Sequence, residues 1–150
     1  MNSKLLPLII LLSVGYIYRD KIHTFISPTV VSKQIVSGDA CSEKAMCAIV
    51  YMAPWCPACK QLQPAIISAM QALQHHPQNG IQVIMGGEKN PGDNARAASD
   101  FGPDVIIDQN GTLQTELNVT YYPTILVVNQ KRDIVYKDQE AMKWLNQAHE

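Results

Sequence analysis

The sequence has no long run of basic residues and almost no net charge. Its 150 residues carry 12 Lys or Arg against 13 Asp or Glu, which leaves a formal charge of -1. Proteins that bind nucleic acid concentrate positive charge on one face, so this balance argues against a nucleic-acid partner. The chain also lacks internal repeats and low-complexity tracts, and its hydrophobic fraction of 47% is typical of a globular protein. Its length predicts one domain with a single core.

Cysteine is scarce, and the few cysteines lie close together. The four of them, Cys41, Cys47, Cys56 and Cys59, fall within one short stretch that is too clustered to staple a whole domain. Two residues separate Cys56 from Cys59, which is the spacing of a redox pair or of half a zinc site. A structural zinc site built from all four thiolates is the alternative to redox chemistry. For Cys41 and Cys47 three interpretations stay open: a structural disulfide, separate buried thiols, or a second redox pair.

An uncharged, apolar run follows Lys4 and extends over residues 5–18. As a helix it would measure roughly 21 Å, short of the roughly 30 Å of hydrocarbon that a full span must cross. It suits an uncleaved signal anchor or a signal peptide, with a buried or peripheral segment as the third alternative. Arg19 and Lys21 balance Lys4 and the amino terminus, so the positive charges leave the orientation open. We expect this segment at residues 1–21, a tether at 22–40 and a domain at 41–150.

The rest of the chain alternates strand and helix patterns. Residues 47–52 predict a strand buried on both faces, and the apolar residues that follow recur every three or four positions, as in an amphipathic helix. Further strands are predicted at 81–85, 105–108, 124–129 and 133–137, and further helices at 93–101, capped by Asp93, and at 141–148. The third strand is expected to close at an Asn-Gly turn, residues 110–111. This order predicts an α/β fold with a mixed sheet.

Cys56 lies between the first predicted strand and the first helix, so we expect it at a helix N-terminus. Free backbone N–H groups and the helix dipole stabilise a thiolate there, which makes the thiol a nucleophile at neutral pH. Cys59, one turn along the helix, is placed to attack a mixed disulfide formed at Cys56. We therefore expect Cys56 to be the exposed nucleophile and Cys59 the buried resolving thiol. This chemistry needs no cofactor and no metal.

Two motifs carry a family resemblance. The stretch W-C-P-A-C-K at residues 55–60, followed by Pro64, resembles the thioredoxin signature with its helix-kinking proline. The stretch Y-Y-P-T at residues 121–124 is similar to the cis-proline loop of that family. Residues 104–111 and 117–119 resemble the membrane-anchored TlpA-like branch, which carries an extra strand and helix before the cis-proline. The resemblance implies a thioredoxin fold, a central mixed β-sheet flanked by helices, and a cis bond before Pro123.

The chain departs from the family pattern at two positions. Val50 stands six residues before Cys56, where thioredoxin proper has a buried aspartate, so that position supplies Cys59 with no carboxylate proton acceptor. Tyr122 is bulkier than the residue that usually precedes the cis-proline. The Pro-Ala pair between the cysteines brings no charge to the thiolate, so we do not expect a strongly oxidising site. The resemblance implies a substrate groove formed by Trp55, Pro57, Tyr122 and Pro123.

Members of the TlpA-like branch are mostly dithiol reductants outside the cytoplasmic membrane, some of them serving cytochrome c maturation. The resemblance therefore implies a protein thiol–disulfide oxidoreductase acting through Cys56 and Cys59. Its expected partners are protein thiols or disulfides, an electron-donor protein in or outside the membrane, and the membrane itself, through the N-terminal segment. The alternative is a thioredoxin-fold adaptor or assembly factor whose cysteines bind zinc or only stabilise the fold.

Overall fold

The computed structural model describes residues 40–87 and 90–148. The predicted N-terminal segment lies outside the described residues, as does the predicted tether except for Ala40. Within the described ranges, no helix is both long enough and apolar enough to cross a membrane. The elements are β1 (Met46–Met52), α1 (Pro57–Leu73), β2 (Asn79–Met85), α2 (Pro91–Ala98), a 3₁₀ turn (Ser99–Phe101), β3 (Ile106–Ile107), α3 (Thr112–Glu116), β4 (Thr124–Asn129), β5 (Ile134–Lys137) and α4 (Gln139–Gln147).

The five strands form one mixed sheet in the order β3-β2-β1-β4-β5. The pairs β1–β2 and β2–β3 are parallel, whereas β4 runs antiparallel to both β1 and β5. Parallel neighbours need a crossover connection, which α1 provides between β1 and β2. This confirms the predicted α/β fold with a mixed sheet.

Strand β1 lies at the centre of the sheet and is buried on both faces, which explains its continuous apolar sequence. Its side chains alternate between two hydrophobic clusters. The larger cluster joins Ala48, Val50 and Met52 to buried residues of α1, α2 and α4. The smaller cluster lies on the other face and joins Cys47, Ile49 and Tyr51 to residues of α3, the adjacent Leu117 and β4, together with Cys41.

Helix α1 begins one residue after Cys56, which is its N-cap, and continues to Leu73. Pro57 takes the first helical position, where no backbone N–H is needed for the helix. Pro64 lies inside the helix, as the resemblance implied. Ile66 and Leu73 belong to the apolar stripe of this helix and are buried against the sheet.

Two details of the chain after β2 differ from the sequence-based predictions. The second helix begins at Pro91 rather than Asp93, because Asn90 is the N-cap and its side chain accepts a hydrogen bond from the Gly92 N–H at 3.0 Å. Asp93 lies in the first turn of α2 instead, 3.4 Å from Arg96. After the short strand β3, the chain forms helix α3, which no apolar periodicity predicted because it spans only five residues.

Candidate active site

The candidate site forms where β1 and β2 end and β4 begins. Because β1 and β2 are parallel, their carboxyl ends lie side by side, and the Gly86 N–H donates to the Met52 carbonyl at 3.0 Å. Because β4 is antiparallel, Thr124 at its start lies opposite Tyr51. The topology thus brings the start of α1, the loop after β2 and the Tyr122–Pro123 segment to one edge of the sheet.

Cys56 and Cys59 form a disulfide with their Cα atoms 5.2 Å apart. The Cys59 N–H donates a hydrogen bond to Cys56 Sγ at 3.1 Å, so the sulfur itself caps the helix. After reduction, the same N–H and the positive end of the helix dipole would stabilise a thiolate at Cys56. Helix α1 carries no acidic residue in its first turn that would oppose this effect.

Cys56 is buried, which contradicts the prediction that it is exposed. Its exposed fraction is 3%, against 2% for Cys59. The reason is the segment before Pro123: the carbonyl oxygen of Tyr122 lies 3.5 Å from Cys56 Sγ. The side chain of Tyr122, which is bulkier than the residue usual at this position, packs against the cluster that contains Cys56 and Cys59.

Two aromatic side chains border the disulfide. The rings of Trp55 and Tyr122 meet edge to face, with centroids 5.3 Å apart and planes at 82°. The indole Nε1–H of Trp55 donates to the carbonyl oxygen of Gly87 at 2.9 Å, although the residue as a whole is 52% exposed. Gly87 has a φ of +75°, and a Cβ there would collide with the Tyr122 ring. Both the positive φ and the close approach of the Tyr122 ring therefore favour glycine at this position.

The remaining residues of the predicted groove lie at the same edge. The Tyr122–Pro123 bond is cis, as the resemblance implied. The Thr124 hydroxyl donates to the Tyr121 carbonyl at 2.7 Å and holds this turn. Pro57 is exposed at the first turn of α1. The structure therefore brings together Trp55, Cys56, Pro57, Cys59, Tyr122 and Pro123.

A buried polar network behind Tyr122 was not predicted from the sequence. The Tyr51 hydroxyl donates to Asp108 Oδ2 at 2.7 Å, and the Gln114 N–H donates to the same oxygen at 2.8 Å. Burial, and then the hydrogen bond to Asp108, raise the pKa of Tyr51 well above its ordinary value. The Tyr51 ring lies 5.9 Å from that of Tyr122. The available signal was a phenol within an otherwise apolar strand, which must find a partner when buried.

Cys41 and Cys47 form a second disulfide, with Cα atoms 5.6 Å apart and each residue 2% exposed. Both lie in the smaller hydrophobic cluster, on the face of β1 opposite to Cys56 and Cys59. The structure thus pairs the four cysteines two by two. Over residues 40–87 and 90–148, no group of three or more His, Cys, Asp or Glu side chains lies close enough to hold a metal ion.

No family model matches the chain. It is 27% identical over 86 residues to the sporulation thiol-disulfide oxidoreductase A of Bacillus subtilis (strain 168), covering 53% of this chain and 50% of the relative. The match therefore spans about half the length of that relative.

Solved structures resemble about three quarters of the chain. A thiol-disulfide oxidoreductase from Bacteroides fragilis NCTC 9343 superposes with a TM-score of 0.61 at 12% identity, covering 75% of this chain and 85% of that one. StoA from Bacillus subtilis superposes with a TM-score of 0.55 at 20% identity, covering 71% and 85%. At these identities the structural matches establish the fold. The chain has the thioredoxin fold, and it is similar in sequence and in structure to the thioredoxin-like thiol–disulfide oxidoreductases.

Proposed function

We propose that this chain is a protein thiol–disulfide oxidoreductase that acts through Cys56 and Cys59. The observation that carries the proposal is the position of the disulfide. Cys56 Sγ caps helix α1, accepts the Cys59 N–H, and lies 3.5 Å from the Tyr122 carbonyl. A cysteine in this position is stabilised as a thiolate when reduced, and Cys59 lies close enough to form a disulfide with it.

The proposed reaction has two exchange steps. In the reducing direction, the Cys56 thiolate attacks one sulfur of a substrate disulfide, and the electron pair of that bond leaves on the second substrate sulfur. Cys59, as thiolate, then attacks Cys56 Sγ, and the second substrate thiolate departs with its electron pair. The substrate is reduced and the Cys56–Cys59 disulfide is re-formed. Trp55 and Tyr122 form the rim that a substrate segment contacts.

We place the domain outside the cytoplasm, where it would act as a reductant. Disulfides such as Cys41–Cys47 persist mainly in oxidising compartments, and this one is enclosed by apolar side chains. The apolar run at residues 5–18 supports a signal anchor, followed by the tether at 22–40 and the domain at 41–150. A reductant in such a compartment needs an electron-donor protein at or beyond the membrane. Substrates of this class include proteins assembled outside the cytoplasm, with cytochrome c apoproteins among them.

Insulin reduction by the full chain in mild detergent, with dithiothreitol as electron source, tests the proposed activity. We expect turnover above the dithiothreitol background. Cys59→Ala is expected to accumulate mixed disulfides with insulin, because the resolving thiol is gone, whereas Cys56→Ala forms none. An inactive wild-type chain that carries bound zinc would overturn the proposal in favour of the adaptor alternative.

The compartment is tested separately by fusing alkaline phosphatase, or a reporter that works only in the cytoplasm, after residue 40. We expect the phosphatase fusion to be active in bacterial cells. An inactive phosphatase together with an active cytoplasmic reporter would reverse the proposed topology without touching the proposed chemistry.

A further inference from the structure

The resolving step requires Cys59 to lose a proton, and the strand beside it offers no acceptor. Val50 is fully buried in the same hydrophobic cluster as Cys56 and Cys59. Its side chain has no group that takes up a proton. A thiol buried among apolar side chains resists ionisation, so the proton of Cys59 needs another path.

A small cavity of about 80 Å³ lies beside Cys59. Its apolar walls include Met52 from β1 and Met85 from β2. The polar side chains that line it are Lys60 and Gln63 from α1 and Asp100 from the 3₁₀ turn. A cavity of this size whose lining includes polar side chains has room for water.

Asp100 lies where this cavity meets the surface. It also lines an open groove of about 570 Å³ that runs past Trp55 and Lys60. Gln63 Nε2 donates a hydrogen bond to Asp100 Oδ2 at 3.3 Å, which holds the carboxylate towards α1. Asp100 therefore borders both the cavity next to the Cys59 thiol and the groove that is open to solvent.

We propose that Asp100 takes up the Cys59 proton through water in this cavity; the inference rests on the proposed oxidoreductase function. In the resolving step the S–H bond of Cys59 breaks, and its proton passes by water to the Asp100 carboxylate. The electron pair left on Cys59 Sγ forms the new bond to Cys56 Sγ, and the substrate sulfur departs with the pair of the broken bond. Asp100 then releases the proton to the groove. It touches neither sulfur, so it is a positioning residue for the proton and not a catalytic residue.

Few other charges face this path. Lys60 on α1 lines both the cavity and the groove. From α2, Asp93 and Arg96 line only the groove, and they pair with each other at 3.4 Å. The parts of β1 and β2 that line the cavity are apolar. Two carboxylates line the groove, Asp93 and Asp100, and of these only Asp100 also lines the cavity. Asp93 is therefore a matched control of equal charge at the same groove.

The test compares Asp100→Asn with Asp93→Asn and with the conservative variant Asp100→Glu. Each reduced full-length chain is mixed with a peptide disulfide, quenched in acid at short times, and the mixed disulfide at Cys56 is quantified by mass spectrometry. The decay rate of that species is measured from pH 6 to pH 10. Asp100 is exposed, so its replacement is expected to leave the fold intact, which circular dichroism checks.

For Asp100→Asn at neutral pH we expect decay about tenfold slower than in the wild type, below the effect of a directly bonded general base. The difference should shrink as the pH rises towards 10, because hydroxide then competes with the carboxylate as the acceptor of the Cys59 proton. Asp100→Glu and Asp93→Asn should decay at the wild-type rate. Unchanged decay in Asp100→Asn, or equal slowing at every pH, would overturn the inference. A wild-type chain that neither forms a mixed disulfide nor reduces the peptide disulfide would instead overturn the proposed function.

Discussion

The Cys41–Cys47 and Cys56–Cys59 disulfides bracket the same strand, β1, at its opposite ends. Their cysteines are equally inaccessible, with exposed fractions of 2–3%. Their surroundings differ. Cys56 receives a backbone N–H, caps a helix and lies beside the carbonyl of Tyr122. Cys41 and Cys47 lie among apolar side chains of β4 and α3.

The difference shows that burial alone does not separate a structural disulfide from a reactive one. What separates them here is the polarity of the atoms around each sulfur. A thiolate at Cys56 would be stabilised by a helix N-terminus, whereas a thiolate at Cys47 would be opposed by its apolar environment.

The largest effect is expected on catalysis. Cys56→Ala should reduce insulin no faster than dithiothreitol alone, because Cys59 lies inside α1 and does not occupy the N-cap position that stabilises a thiolate at Cys56. The matched variant, which combines Cys41→Ala and Cys47→Ala, should keep most of the wild-type rate. If the second variant lost activity while still folded, the second disulfide would belong to the catalytic machinery and the distinction would fail.

Stability is expected to respond in the opposite order. Removing the Cys41–Cys47 disulfide with the same double alanine variant should lower the free energy of unfolding by about 2 kcal/mol, since it frees the unfolded chain. Its cysteines are six residues apart, against three for Cys56 and Cys59. The shorter loop constrains the unfolded chain less.

Urea unfolding of both double alanine variants, followed by circular dichroism, gives the comparison. The variant lacking Cys56 and Cys59 serves as the control. A larger loss of stability in that control than in the variant lacking Cys41 and Cys47 would contradict the structural role of the second disulfide.

How far the sequence predicts this architecture depends on how local each signal is. The Cys56–Cys59 pair, its helix and the cis bond before Pro123 follow from short motifs, and the structure contains each of them. The bond between Tyr51 and Asp108 joins residues 57 positions apart, and no periodicity reports such a pairing. The burial of Cys56 also depends on a distant segment, that of Tyr122. The roles proposed for the groove residues remain predictions.

Tyr51 lies between the surroundings of the two disulfides. It shares a face of β1 with Cys47, and its ring lies 5.9 Å from that of Tyr122, next to Cys56. Tyr51→Phe keeps the ring and removes the hydrogen bond to Asp108, which leaves that buried carboxylate with the Gln114 N–H. We expect a loss of about 1–2 kcal/mol at neutral pH, measured by urea unfolding. Activity should change much less, because neither sulfur loses a contact.

The pH dependence of stability gives a second measure of the same contact. The pKa of Tyr51 is raised in the folded state, so the native chain keeps a proton that the unfolded chain loses near pH 10. Stability from this group is therefore fully present below about pH 10 and is lost as the pH rises further. The wild type should lose stability more steeply there than Tyr51→Phe. Tyr121 and Tyr122, whose pKa values are also raised, are common to both chains, so equal slopes would exclude this contribution.

The smallest effect on stability is expected at Trp55, whose role we assign to the access of reagents to Cys56. Trp55→Phe removes the Nε1–H bond to Gly87 but keeps an aromatic ring against Tyr122, so it should cost only about 0.5 kcal/mol of stability at this exposed position.

Trp55→Ala removes the ring as well. We expect it to increase the alkylation rate of Cys56 in the reduced chain, because one wall of the site is gone. The alkylation of Cys47, at the other end of β1, should stay unchanged in both variants, since it is buried in the hydrophobic cluster on the opposite face of the strand. Mapping the adducts by mass spectrometry distinguishes these cases, and equal acceleration at Cys47 would mean that the variant had loosened the whole domain rather than the rim around one sulfur.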